Sequence, residues 1–324
     1  MPANERPLTI VAGGDVMLGS WVEDVVRREG MDYPFRAVDS LLQDADLVIA
    51  NLEAPFGVED SAAYEKSYTF QVNPDLVAVL KAGRINAVSL ANNHILDFGF
   101  PALQYTMNLL NEHQIRFAGA GLDLQGARQP AIIESNGSRI AFAAYSLTFP
   151  EEFWATDSTP GTCFPHHTFL YDDIRRFKKE NDVVIISFHW GSEKMDVPKK
   201  YQKQLARSAV RAGADLILGH HPHVVQGLEI YQGKLIAYSL GNYVFGSYSE
   251  SASESMLLKI FLGTRGISRC KIYPISVYNK EVEFQPQLLQ GEKKTEFLNK
   301  LQNLSAELNN NTDVISSTGW IKLL

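Results

Sequence analysis

Residues 214–223 read ADLILGHHPH, a short apolar run that breaks off into three histidines around a proline. A brief apolar run bounded by turn signals reads as a buried strand. The polar residues behind it then stand at that strand's carboxyl end. The same pattern recurs upstream. LTIVAGG (8–14) ends at Asp15, and DLVIANLE (46–53) ends at Asn51 and Glu53. INAVSLANNH (85–94) ends at Asn92, Asn93 and His94, and DVVIISFHWG (182–191) carries His189. Helical spacing and cap residues between these runs predict helices over 34–45, 73–83, 101–113, 169–180 and 199–212. Strands alternating with helices argue for an α/β fold with helices on both sides of sheet.

Downstream, 228–246 predicts a hairpin turning on Gln232-Gly233, 256–288 reads as mostly β, and 293–308 as a last helix. The stretch 145–167 mixes Pro, Gly, Thr and aromatic residues without periodicity. It predicts a long loop of the kind that often forms a lid.

The chain has 324 residues, 45% hydrophobic and 21% charged, with a net charge of -7. That balance fits a globular domain with a sizeable core. It argues against a nucleic-acid binder, because phosphate backbones demand clustered Lys and Arg. Cys163 and Cys270 form no C-x-x-C pair and read as isolated thiols. There is no basic segment leading into an apolar one at the N-terminus, and no apolar run long enough to span a bilayer. The expectation is a soluble, cytoplasmic chain, with association at the cell envelope left open.

Open α/β sheets bind ligands at the carboxyl edge of their strands. Strand ends carrying oxygen and nitrogen donors would therefore meet in one crevice. Imidazole suits Zn, Fe or Mn, and carboxylates can bridge two such ions. Two ions about 3.5–4 Å apart clamp the attacking and leaving oxygens of a phosphoryl displacement. Pro222 pushes the residue before it out of the helical region, so an extended stretch would turn His221 and His223 the same way. His220 would then point elsewhere, as a supporting donor or into the core. Taken singly, each residue has a plainer role. Asp15 suits a turn or cap, Glu53 a solvated acid, Asn92-Asn93 a turn, and His94 or His189 the core. Their joint occurrence at successive strand ends favours a metal site. In FHWGSE (188–193), Trp190 is a packing residue or a substrate platform, and Glu193 orients His189 or stands exposed. Asn242 follows another apolar run and reaches the same edge or closes a turn.

Six stretches, GGDVMLG (13–19), ANLEAP (50–55), SLANNHILDFG (89–99), FHWGSE (188–193), GADLILGHHPHVVQGLE (213–229) and IAYSLGNYVFG (236–246), carry a resemblance. Together they resemble the bacterial capsule biosynthesis proteins of the CapA type, named for poly-γ-glutamate synthesis. That family is similar in turn to the calcineurin-like metallophosphoesterases, and the resemblance implies a β-sandwich flanked by helices with a two-metal centre at the strand ends. It implies one such domain over 1–250, with strands and a helix from 251–324 completing it. The Asp-x-His motif falls on Asp15-Val16-Met17, so the histidine is replaced by Met17. Glu53 is the implied bridge, Asn93 a ligand, and His189, His221 and His223 the imidazole ligands. One ion is left a ligand short unless His220 or Asp97 supplies it.

The expected function is a metal-dependent hydrolase of phosphate esters, with one or two divalent ions (Mn, Fe or Zn) and a metal-bound hydroxide as nucleophile. Asp15, Glu53, Asn93, His189, His221 and His223 are the candidate ligands, and His94 and Asp97 the catalytic candidates. Asn51, Asn92, Glu193, His220 and Asn242 are candidates for support or substrate contact. The alternatives are a capsule or poly-γ-glutamate biosynthesis factor acting on γ-glutamyl or other amide bonds, and a non-catalytic binding subunit. The partner is a small-molecule or polymer substrate. Oligomeric state is open.

Overall fold

A computed structural model describes residues 7–59, 61–263 and 266–323. The chain opens with β1 (Leu8–Met17), α1 (Trp21–Glu29), a 3-10 turn over Tyr33–Val38 and the one-turn α2 (Asp39–Leu42). Next come β2 (Leu47–Leu52), a 3-10 turn at Pro74–Leu76 leading into α3 (Val77–Ala82), β3 (Ala87–Ser89), α4 (Gly99–Glu112) and β4 (Arg116–Ala118). The middle runs β5 (Ala120–Gly121), α5 (Leu124–Ala127), β6 (Ala131–Ser135), β7 (Ser138–Ser146), β8 (Gly161–Thr162), α6 (Leu170–Glu180), β9 (Val183–His189), α7 (Lys200–Ala212) and β10 (Leu216–His220). It continues through β11 (Leu228–Tyr231), β12 (Lys234–Ala237) and β13 (Asn242–Phe245). The tail holds β14 (Glu254–Gly263), β15 (Gly266–Ser276), α8 (Asn279–Val282), β16 (Gln287–Leu288), α9 (Gly291–Ala306) and β17 (Trp320–Ile321).

Two large sheets form. The first has the order β16-β15-β14-β1-β2-β3-β4, with β13 also on β1 and β17 on β15. The second has the order β11-β12-β10-β9-β7-β6. β1 to β4 run parallel, as do β7, β9 and β10, so each group delivers its carboxyl ends together.

Period-two alternation explains why the sheets stack. Ile10 and Ala12 of β1, Leu47 and Ile49 of β2, and Leu258 and Ile260 of β14 face one buried layer. Phe142 of β7, Ile185 of β9 and Leu218 of β10 meet them in it from the second sheet. The alternate residues face outward onto helices. Val11 and Val48 pack with Val22, Leu80 and Leu110 of α1, α3 and α4. Val184, Ile186 and Ile217 pack with Ile174 and Phe177 of α6 and Ala206 of α7. The result is a sandwich of two sheets with helices on both outer faces. From the tail, β14 pairs directly with β1, and α9 adds Phe297, Leu298 and Leu301 to the layer between the sheets. Truncating one of these buried Leu or Ile side chains to Ala costs about 2–5 kcal/mol.

Several expectations shift at element ends. The helix expected at 34–45 is split into a 3-10 turn and one α turn, with Pro34, Phe35, Val38, Leu41 and Leu42 buried along it. The strand expected at 85–94 pairs only over Ala87–Ser89, after which the chain turns, with the Asn92 amide donating to Leu90 O. The hairpin expected over 228–246 ends at Ala237. Its turn is at Gln232-Gly233 as read, both with positive φ (50° and 72°), the geometry that matches strand twist. The chain then crosses to the other sheet, where β13 runs parallel to β1. The loop expected at 145–167 begins only after Ser146, since Tyr145 and Ser146 continue β7. Sequence patterning alone does not reveal α1, β4 or the β6–β7 hairpin. Both cysteines are buried and unpaired with each other.

Candidate metal centre

The carboxylates arrive on the first sheet. The register of β1 shifts around Asp15 against both β2 and β13. A shift of this kind re-aims a side chain that regular pleating would send elsewhere. Glycine is required beside it, because a Cβ on Gly14 would stand 1.8 Å from Gly241 O. Asp15 is fully buried. Its Oδ1 accepts from Asn51 Nδ2 at 2.9 Å, and its Oδ2 accepts from the His221 amide at 3.3 Å. Glu53 follows β2 and is tied to β1 by its amide, which donates to Val16 O at 2.8 Å. Glu53 Oε2 accepts from Asn51 Nδ2 at 3.1 Å, whereas Oε1 is buried with no hydrogen-bond partner. Asn51 is held in turn by Asn92 Nδ2, which donates to Asn51 Oδ1 and to Leu52 O.

The imidazoles arrive on the second sheet. His189 ends β9, with Nδ1 3.4 Å from Asn51 Nδ2 and Nε2 2.8 Å from Asn93 Oδ1. His220 ends β10, with Nδ1 3.3 Å from Asp15 Oδ1. The residue before it is again a glycine pressed by a neighbouring strand: a Cβ on Gly219 would stand 1.9 Å from Tyr238 O. His223 Nδ1 lies 2.9 Å from Asn242 Oδ1 and 3.3 Å from Asp15 Oδ2. His189 Nε2 and His223 Nε2 each stand 3.7 Å from Glu53 Oε1.

Two groups of donors therefore have spacing fit for an ion, Asp15–Glu53–His189 and Glu53–His221–His223, each within 4.8 Å atom to atom. Glu53 belongs to both. The donor chemistry fits as well. Glu53 Oε1 and His221 Nδ1 are buried polar atoms without a hydrogen-bond partner, a costly condition that a cation relieves. Mixed carboxylate and imidazole donors suit Mn, Fe or Zn.

Burial pushes the Glu53 carboxyl well above the usual range, and the Asp15 charge adds to the effect. Burial acts on Asp15 in the same sense, but the His220 and His223 imidazoles 3.3 Å away outweigh it and hold Asp15 well below the usual range. The imidazoles diverge too. Burial lowers His189, and lowers His221 to about 3, with the neighbouring imidazoles adding to both. Burial also opposes protonation of His223, yet the Glu53 and Asp15 charges raise it to about 10.

Beside this cluster His94 Nδ1 lies 2.7 Å from Asp97 Oδ2, and the Phe70 amide donates to the same oxygen. Lys66 reaches in from the irregular segment after β2. Its ammonium pairs with Asp97 Oδ1 and donates to Asn93 O. His94 is depressed by burial, with Asp97 pulling the other way.

Residues 9–247 match the model of the family described as bacterial capsule synthesis protein PGA_cap. The chain belongs to this family. It is 33% identical over 281 residues to the capsule biosynthesis protein CapA of Bacillus anthracis, covering 85% of this chain and 68% of that one. It is also 33% identical over 273 residues to the PGA biosynthesis protein CapA of Bacillus subtilis, covering 82% and 70%. Among solved structures it is similar to an NAD nucleotidase of Haemophilus influenzae, with a TM-score of 0.50 and 12% identity over 91% of this chain and 62% of that one. A hypothetical protein of Thermus thermophilus also has a TM-score of 0.50, with 14% identity, covering 83% and 99%. The fold of this PGA_cap chain is of the metallophosphoesterase type.

In this family member the strand ends meet at one rim, but not by the route the sequence suggested. His221 and His223 have φ of 93° and 59°, so the segment is coiled rather than extended. Backbone turns, not strand alternation, aim the two rings. His220 stands behind Asp15 rather than in either donor group. Glu193 is exposed beside the site, and the described hydrogen bonds of His189 go to Asn51 and Asn93 instead. Trp190 is fully buried, stacked on Phe188 and bonded to Tyr238 O, which is a packing role. Met17 is buried at the edge of the adjoining cavity and belongs to the core on that side. Sequence reasoning misses Lys66 altogether. It sits in EKSYTF (65–70), where one lysine in a polar loop carries no signal of its own.

Among the described residues, no helix is long and apolar enough to cross a membrane.

Proposed function

We propose that the rim binds two divalent cations and that the protein is a metal-dependent hydrolase of phosphate esters. One observation carries the reading: Glu53 belongs to both donor groups, and its Oε1 is buried with no hydrogen-bond partner. A buried carboxylate that belongs to both groups would suit two ions at once. Asp15, Glu53, Asn93, His189, His221 and His223 are the proposed ligands. Asn51, Asn92, His220 and Asn242 orient them, as partners behind metal ligands commonly do.

Divalent ions at such a site supply charge neutralisation and Lewis acidity to a phosphoryl group. The rest falls to the chain. Asp97 fixes a proton on His94 Nδ1, which leaves Nε2 to exchange a proton with the leaving oxygen. Lys66 holds Asp97 and the Asn93 carbonyl, so it positions both the acid–base group and a proposed ligand. The buried surroundings of His94 strengthen these interactions by lowering the local dielectric.

A second reading has one specific support, the two Bacillus relatives, whose names concern capsule and PGA biosynthesis. The same donors could polarise the carbonyl of a γ-glutamyl amide. Elemental analysis of the purified protein, followed by a panel of phosphomonoesters, phosphodiesters and γ-glutamyl peptides with added manganese, separates the readings. Turnover of phosphate esters that disappears in Glu53→Gln supports the hydrolase. Turnover of amides alone transfers support to the second reading. Metal binding with no turnover of either class leaves a binding subunit.

A further inference from the structure

We propose that the cavity beside the metal centre selects phosphate esters whose organic part is a flat aromatic ring, stacked against a wall of Trp21, Tyr68 and Tyr248. The proposal rests on the hydrolase reading above. The cavity has a volume of about 480 Å³, and His94, His223 and Asn242 are part of its lining. A volume of that size suits one small organic ligand.

Its floor is apolar directly beside the imidazoles. Phe70 lies against the His94 ring at 4.4 Å between centroids, and Phe245 against His223 at 4.7 Å. Phe70 and Phe245 meet edge to face at 5.9 Å. Further out, Trp21 at the start of α1 is 51% exposed and Tyr68 is 72% exposed. The Trp21 ring stands 5.0 Å from that of Tyr248, which is braced edge-on by buried Phe284. Apolar rings left in water and continuous with a polar site mark a binding surface. Aromatic faces stack flat rings regardless of ring identity.

Charge excludes the obvious competitor. Among the described residues lining this cavity, Lys194 is the only Lys or Arg, and it sits beside Glu193. Lys66 is already committed to Asp97. A γ-linked polyglutamate carries a carboxylate on every residue and calls for a row of cations. A polar reacting end with an uncharged flat tail fits the cavity instead.

The test uses the full chain with manganese. Values of kcat/KM are compared for adenosine monophosphate, phenyl phosphate and glycerol phosphate. Both aromatic esters should exceed glycerol phosphate by about tenfold or more, in line with the known strength of ring stacking. Preference for adenosine monophosphate over phenyl phosphate assigns the wall to nucleobases, and equality assigns it to simple aryl groups. Trp21→Ala and, separately, Tyr68→Ala should reduce the aromatic-to-glycerol ratio through KM. Both side chains are exposed, so folding is not at stake. Equal handling of all three esters, or a ratio untouched by Trp21→Ala, overturns the inference and leaves the hydrolase reading standing. If no ester is hydrolysed, the hydrolase reading falls. Calorimetry with adenosine, which lacks phosphate, then decides the wall: binding weakened by Trp21→Ala supports it, and no binding overturns it.

Discussion

The two sheets bring different chemistry to the same rim. The first ends in oxygen: Asp15 on β1, and Asn51, Glu53 and Asn93 on or beyond β2 and β3. The second ends in nitrogen: His189 on β9, and His220, His221 and His223 at and after β10. Among the described residues, neither donor group is completed from one sheet alone. Within each side the pairs also diverge, with Asp15 depressed and Glu53 raised, His221 depressed and His223 raised. Cross-sheet proximity drives much of this, since Asp15 answers to His220 and His223, and His223 answers to Glu53. The donor cluster is thus a product of the sandwich closing.

The sharpest way to break this comparison is to remove the donor both groups share. Glu53→Gln should abolish stoichiometric metal binding and lower any phosphoesterase activity by more than about 100-fold, beyond the range for supporting partners. Retention of both ions, read by elemental analysis, would disprove the bridge. Gly14→Ala and Gly219→Ala test closure from each side. Each places a Cβ on a neighbouring carbonyl, so both should destabilise the fold by about 1–3 kcal/mol or more, as forced overpacking does. A thermal melt unchanged in either variant would show that the strands are not so close.

Asn242→Ala probes the supporting layer behind the imidazoles. It frees His223 Nδ1 and should weaken metal affinity by about 10–100-fold without loss of fold. Lys66→Met should lower kcat more than KM and displace the pH profile of kcat, because Asp97 loses its cation beside His94. An unchanged profile would reduce Lys66 to a structural tie. The smallest effect concerns protons. His223, raised to about 10, holds a proton at neutral pH, and the raised Glu53 keeps its proton to higher pH than an ordinary carboxylate. His221, at about 3, and the depressed His189 are already neutral. Ligands bind deprotonated, so manganese binding at neutral pH should release protons and tighten as pH rises. Calorimetry in two buffers of different ionisation enthalpy reads the number, and a value of zero would contradict the asymmetry. In the metal-free protein, the stabilisation from protonated His223 is complete below its unfolded value of about 6.5 and disappears as pH rises through about 10.

Much of this was legible in the chain because burial leaves a period. Strands buried on both faces appear as continuous apolar runs, which is how β1, β2, β9 and β10 announce themselves in LTIVAGG, DLVIANLE, DVVIISFHWG and ADLILGHHPH. The polar residue that ends each run was visible for the same reason. Lys66 was not, since nothing local distinguishes a lysine that will cross a loop to a buried aspartate. The crossing of β13 from its hairpin to the other sheet was also hidden, because strand pairing is a choice among partners distant in sequence.

By itself the sequence determined which segments would be buried strands, which residues would stand at their ends, and the family to which such motifs belong. The tertiary structure alone decided that Glu53 is shared by two donor groups, that positive φ rather than an extended chain aims His221 and His223, and that an aromatic wall flanks the site. The reason is physical. Side-chain periodicity is a local property of the backbone. Sharing, coiling and adjacency depend on how two sheets meet, a relation between residues as far apart as Asp15 and His221, 206 positions along the chain.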